Sequence, residues 1–209
     1  MEHGPYDSFY RRRRPHWQHE GAWHFITFRL EGTLPTKTIQ RLNCESEEII
    51  KLLKNKYPGK TETQAFNYYQ WRFEWIDKYL DKQTDLIYLR NNKVAKIVKE
   101  ALFFYEPNKY KLDAWVIMPN HVHLLIEPCK GIKLNKVLQR IKSYTGKEIN
   151  ALLNLHGPFW QGEGFDHWVR PGNLMRWQKY IINNPVIAGL CKSPEDWVWS
   201  SAYKLSDDN

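Results

Sequence analysis

Cysteine is scarce in this chain of 209 residues. Cys44, Cys129 and Cys191 are an odd number with no Cys-x-x-Cys pair. That usage excludes a disulfide framework and points to a reducing compartment. Long apolar runs are missing as well: none approaches the roughly 18 residues that would cross a bilayer. No apolar segment stands behind the polar N-terminus, so a secretory signal is not expected. Internal repeats and low-complexity linkers are absent, and the length reads as one domain, or one domain carrying a large insertion. Acidic residues are outnumbered, 23 against 31 Lys and Arg, which leaves a net charge of +8. What is present completes the picture. Hydrophobic residues at 42% support a packed core and exclude wholesale disorder. Aromatics reach 15%, with ten tryptophans. Basic side chains bind phosphate and ring faces accept unpaired bases, so nucleic acid is the leading partner.

The first 20 residues, with Arg11, Arg12, Arg13 and Arg14 beside Gly4, Pro5 and Pro15, read as a basic arm rather than a packed element. Residues 22–30 alternate as a strand closed by Gly32 and Pro35. Apolar spacing predicts helices over residues 38–54 and 63–80, the second crowded with aromatics from Phe66 to Trp75. Helical aromatics are more often core than functional. A third helix is expected from Asn92 as its cap. Residues 110–118 and 121–127 form two strands joined at Pro119-Asn120. A long amphipathic helix follows over 134–153, with Leu134, Val137, Ile141 and Ile149 as its inner row. A polar and aromatic stretch offers a short edge strand. A last helix starts near Asn173 and is expected to stop at Pro185, and the tail after it to pack by its own tryptophans. Leaving out a helical insertion over about 36–90, the order is close to βαββαβ. The expected fold is therefore α+β, a ferredoxin-like core with an antiparallel sheet, plus the insertion and a C-terminal helix.

The chemistry concentrates in the row from Trp115 to Pro128. His121 and His123 are two apart on a strand, so both imidazoles project from one face and can grip one divalent cation such as Mn or Zn. A metal beside phosphate calls for a nucleophile, and a helical tyrosine is a candidate. Tyr144 has Glu148 one turn on, and Tyr180 has Asn184 one turn on. By charge alone Glu148 is the better ligand, which leans the choice toward Tyr144.

Three rows together carry a family resemblance. They are Trp115-Val-Ile-Met-Pro-Asn-His-Val-His123, then Phe159-Trp-Gln161 with Phe165-Asp-His167 and Arg170, and Tyr180-Ile-Ile-Asn-Asn-Pro-Val-Ile-Ala-Gly-Leu190. In this order the chain resembles the REP-associated tyrosine transposases, a branch of the single-tyrosine HUH transposases. The resemblance covers most of the chain outside about 36–85, and it would make residues 1–209 one such domain, with the catalytic motifs over 110–190. It implies Tyr180, not Tyr144, as the nucleophile. It also implies that Asn184 joins His121 and His123 around Mg or Mn. Because Asn184 precedes proline, it is expected at the very end of its helix.

The activity so implied is transesterification on single-stranded or hairpin DNA with palindromic repeats. Tyr180 would attack the scissile phosphate, giving a covalent 5′-phosphotyrosine and a 3′-hydroxyl that can later reverse the step. Arg11 to Arg14, Arg29 and Arg170 are the expected DNA contacts. Asp166 and His167 would orient a ligand or base from behind. A prokaryotic cytoplasmic, nucleoid-associated protein without a membrane is implied, as a monomer or homodimer. Two other classes stay open: a non-catalytic binder of structured single-stranded DNA or RNA, and a metal phosphodiesterase that uses water. The insertion is longer than the minimal fold needs, and its aromatics would cover DNA, shield the sheet or mediate association.

Overall fold

The structure is a computed structural model that describes residues 8–11, 15–18, 21–57, 61–82, 85–162, 164–170 and 172–203. The chain forms two compact units. One joins Met1–Glu31 to Ile87–Asn209, and the other is Gly32–Leu86.

In the first unit, β1 (Ser8–Arg11) and β2 (Pro15–Gln18) pair antiparallel, Ser8 opposite Gln18 and Arg11 opposite Pro15. The first residues were expected as an unpacked arm, so this ladder is a correction. Phe9 stands opposite Trp17 in this ladder, and β2 lies near the edge strand of the main sheet. Residues 12–14, between the two strands, lie outside the described residues.

The main sheet has four strands in the order β4 (Tyr110–Ile117), β5 (His121–Pro128), β3 (His24–Arg29), β6 (Phe165–Trp168), every neighbouring pair antiparallel. This is the ferredoxin-like arrangement that the element order implies: the first and third core strands lie inside, and two helices cross between parallel partners. β3 and most of β5 are buried on both faces, which explains their nearly continuous apolar runs. Ile26, Phe28, Val122, Leu124 and Ile126 point to one face. They pack with Val94, Val98 and Leu102 of α3 (Asn92–Phe103) and with Val137, Ile141 and Ile149 of α4 (Leu134–Leu153).

Helix α3 begins one residue earlier than expected, at the residue read as its cap. Asn91 supplies the cap, its side-chain oxygen accepting from the Lys93 amide at 2.9 Å, and Asn92 is already helical. The rest of α4's inner row is sealed by Trp160, whose Nε1 donates to Thr145 Oγ1 at 2.8 Å.

The turn between β4 and β5 is tight, with Met118 N donating to His121 O at 2.8 Å across Pro119-Asn120. Leu30 N donates to Asn120 O at 2.9 Å and Leu89 N to Pro119 O at 3.0 Å, so the turn is pinned from two sides. The C-terminal tail closes the outer edge of β4. Ile117 N donates to Trp199 O and Ser201 N to Trp115 O, while Trp197 and Trp199 place their indole N–H groups on Ile117 O and Asn92 Oδ1. Covering an edge this way prevents further strand pairing.

The opposite face of the sheet takes α5 (Leu174–Ile187), whose sheet-facing row is Trp177, Ile181, Asn184 and Pro185. The expected stop at Pro185 is corrected here: the helix runs on to Ile187. Proline costs the helix one amide, yet the last turn closes with Ala188 N on Asn184 O at 2.9 Å and Leu190 N on Pro185 O at 2.8 Å. Asn184 is therefore inside the helix and buried, one turn before its end.

The second unit is a helical pair, α1 (Thr36–Lys56) and α2 (Thr61–Asp81). Arg72 of α2 donates to Asn43 Oδ1 of α1 at 3.0 Å and also to Ser46 Oγ, and Ser46 lies 3.1 Å from the Tyr68 hydroxyl. Phe73 is buried, whereas Trp71 and Trp75 are 57% and 40% exposed. The aromatic run of this helix is thus only partly core.

Candidate active site

His121 and His123 leave β5 on the face that α5 covers, together with Phe25, Thr27 and Arg29 of the neighbouring β3. Both histidines are fully buried, with ring centroids 4.6 Å apart. Each Nδ1 has a fixed partner. Asn120 Oδ1, in the turn, stands 2.7 Å from His121 Nδ1. Thr27 Oγ1, directly opposite on β3, stands 2.7 Å from His123 Nδ1. An amide oxygen only accepts, so His121 Nδ1 carries the proton and Nε2 keeps its lone pair. The Thr27 hydroxyl, which can donate or accept, is able to take the Nδ1 proton of His123 in the same sense. With both Nδ1 atoms protonated, each Nε2 keeps its lone pair for a metal, and two imidazoles so arranged fit a divalent ion.

Tyr180 is half-buried on α5 and its ring centroid lies 5.8 Å from that of His123. Phe25 and Trp177, stacked with centroids 4.2 Å apart, meet the tyrosine edge-on at 5.9 Å each. The nucleophile candidate is thus clamped by aromatic packing beside the histidine pair. Asn184 follows it by one turn, so the two leave neighbouring parts of one helix surface.

The remaining sequence candidates divide between the two sheet faces. His167 pairs with Phe25 across β3 and β6 and packs against Trp177 at 5.7 Å, on the histidine face. Burial lowers its pKa to about 4, and the charges of Arg170 and His24 act the same way, opposed by Asp166. It is a neutral imidazole at pH 7. Asp166, one residue earlier, faces the other side of the sheet and lines a cavity beside α4. The two side chains leave opposite faces of the sheet. Arg29 stands opposite His121 on the histidine face, with Nη1 3.5 Å from Gln161 Oε1, and Arg170 is exposed just beyond β6. Arg11 belongs to β1 by its backbone, while Arg12, Arg13 and Arg14 lie outside the described residues.

The lean toward Tyr144 on charge fails on geometry. Tyr144 is 57% exposed on α4, across the sheet from the histidines. Sequence reading missed Thr27 and Asn120 as the partners that orient the imidazoles. The signal was there, since antiparallel pairing of β3 with β5 puts Thr27 opposite His123, but that register has to be known first.

Residues 88–184 match the family model described as "Transposase IS200 like". Comparison with curated proteins finds no match. Among solved structures, the chain is similar to one described as "Structure of the REP associates tyrosine transposase bound to a REP hairpin". That likeness has a TM-score of 0.54 at 18% identity and covers 93% of this chain and 82% of the other. The likeness read from three sequence rows therefore stands as a likeness: residues 88–184 are similar to IS200-like transposases, and the fold is similar to that of a REP-associated tyrosine transposase.

Proposed function

We propose that this protein is a metal-dependent endonuclease and strand transferase for single-stranded DNA, acting at hairpins formed by palindromic repeats. The single observation that carries the reading is the approach of Tyr180 to His123 on the same sheet face as His121. Tyr144, the other candidate, is exposed on a helix that packs against the opposite face of the sheet.

In this reading His121 and His123 would hold a divalent ion, Mg or Mn, and Asn184 would complete the set from α5. Burial of Asn184 on the sheet side of that helix supports its inclusion. A bound ion supplies Lewis-acid polarisation of the scissile phosphate. Tyr180 attacks the phosphorus through its phenolic oxygen and gives up its proton. The P–O3′ bond breaks, leaving a 5′-phosphotyrosine and a 3′-hydroxyl. Attack by a 3′-hydroxyl on that phosphotyrosine re-forms a phosphodiester and releases Tyr180, so no nucleotide cofactor is consumed. His167 stays neutral beside Trp177 and keeps the wall behind Tyr180 uncharged.

Arg29 supports phosphate binding from the histidine face, Arg170 from beyond β6, and Arg11 to Arg14 from the N-terminal segment. Residues 1–209 then serve as one transposase domain, with 36–90 as an insertion, working as a monomer or homodimer in the cytoplasm near the nucleoid. No helix among the described residues is long and apolar enough to cross a membrane. The neighbour's hairpin partner supports the choice of substrate.

The test is a labelled hairpin oligonucleotide with unpaired flanks, incubated with Mn or Mg and resolved in SDS. A covalent adduct is expected. Cleavage without an adduct would favour a water-using phosphodiesterase, and binding without cleavage under either metal would favour a non-catalytic binder of structured DNA or RNA.

A further inference from the structure

Strand β4 does not pair evenly with β5. Lys111 sits opposite Glu127, to which its Nζ donates at 3.2 Å, and Leu112 sits opposite Ile126. Ala114 then faces Leu125, so Asp113 is an extra residue with no place in the ladder. Such a bulge re-aims a side chain. Here it turns Asp113 toward α5, where Gln178 Nε2 donates to Asp113 Oδ2 at 2.6 Å. Neither residue is a nucleophile or metal-ligand candidate.

Gln178 shares its helix with Tyr180. Trp177, Ile181, Asn184 and Pro185 form the buried face of α5. At about 100° per residue, Tyr180 stands roughly 60° to one side of Trp177 and Gln178 roughly 100° to the other. Tyr180 therefore meets Phe25 of β3 while Gln178 reaches β4. The two side chains are opposite flanks of one rigid cylinder. Apolar contact by Trp177 and Ile181 is non-directional and resists a roll of the helix only weakly. A hydrogen bond at one flank weakens steeply once its geometry is lost. With side chains about 5–6 Å from the axis, a roll of about 10° displaces the opposite flank by roughly 1 Å. A misplacement of about 1 Å is enough to slow an aligned attack severely.

We propose that Asp113 and Gln178 are positioning residues: their hydrogen bond fixes the roll of α5 and thereby aims the Tyr180 phenol. The inference rests on the proposed function, since it takes Tyr180 as the nucleophile. The bulge in β4 is what brings the carboxylate within reach of the helix.

The experiment measures the single-turnover rate of adduct formation at saturating hairpin DNA and Mn. Asp113→Ala and Gln178→Ala should each slow it about fivefold, the effect of one partly exposed hydrogen bond. The double alanine variant should be no slower than either single one, because all three lose the same bond. Hairpin and Mn affinities should stay at their wild-type values. In Asp113→Asn/Gln178→Glu the donor and acceptor change places, and the rate should return to within about twofold of wild type. A fluorotyrosine replacing Tyr180 gives a second readout without DNA. Its fluorine NMR line should shift or split in Asp113→Ala and recover in the exchanged pair. Wild-type rates and an unmoved line in both alanine variants would overturn the positioning role. So would a loss that the exchanged pair fails to restore, which marks ordinary destabilisation. No adduct from the wild type with any DNA would overturn the proposed function, and the fluorine line then decides separately whether the bond holds α5.

Discussion

Thr27 Oγ1 stands 2.7 Å from His123 Nδ1, joining the central strand β3 to the candidate metal ligand on β5. The bond is buried and fixes the imidazole so that Nε2 faces the site. Removing the hydroxyl while keeping the shape, as in Thr27→Val, should lower Mn affinity by roughly 10- to 100-fold. Thr27→Ser should restore most of it. Calorimetric titration of Mn into each variant separates this from a packing effect, because valine fills the same volume. Equal affinities for valine and wild type would show that Thr27 does not orient the ligand.

Gly164 sits where the chain passes closest to β3. A Cβ there would lie 2.5 Å from Thr27 O, a backbone atom that cannot move aside. Gly164→Ala should therefore push β6 off β3 and destabilise the protein by about 1–3 kcal/mol. Urea unfolding reads this directly. A midpoint unchanged from wild type would mean that the backbone at Gly164 adapts.

Trp160 and Thr145 offer a third case. The indole N–H is buried on Thr145 Oγ1 at 2.8 Å, and Thr145 in turn donates to Ile141 O at 2.7 Å. Thr145→Val leaves the indole donor without that acceptor and should cost about 1–3 kcal/mol. The pair lies on the α4 side of the sheet, so adduct formation at saturating metal should be unaffected at low temperature. Loss of the adduct in a fully folded Thr145→Val would contradict the separation of the two faces.

His167 makes folding sensitive to acid. Its pKa is near 4 in the folded chain against 6.5 when unfolded. Between those values the unfolded chain binds more protons, so this group's contribution to stability declines as pH drops from about 6.5 to about 4 and changes no further below. His167→Gln should flatten that part of the stability-pH profile. An unchanged slope in denaturant midpoints over this window would mean that His167 is not the buried neutral base described.

Much of this fold was legible in the sequence because the strongest signals were periodic. The inner row of α4 and the two strands around Pro119-Asn120 follow directly from spacing. The histidine pair was equally plain, since alternate residues on a strand share a face. Other features depended on information no local pattern holds. Pro185 breaks helices in general, yet here the last turn closes around it because Asn184 and Pro185 carbonyls find donors at Ala188 and Leu190. Asp166 and His167 are adjacent in sequence and so read as partners, but strand pleating sends them to opposite faces. Tyr144 and Tyr180 have the same helical setting, and only the side of the sheet on which each helix packs decides between them. The partnership of Thr27 and Asn120 with the histidines required the register of β3 against β5.

The central claim is that Tyr180 carries the DNA. Digesting the SDS-stable adduct with nuclease and protease and sequencing the modified peptide by mass spectrometry tests it most directly. The nucleotide should be found on Tyr180, in the tryptic peptide from Tyr180 to Lys192, and Tyr180→Phe should yield no adduct while Tyr144→Phe yields the same one. A nucleotide on Tyr144, or an adduct that persists in Tyr180→Phe, would contradict the account.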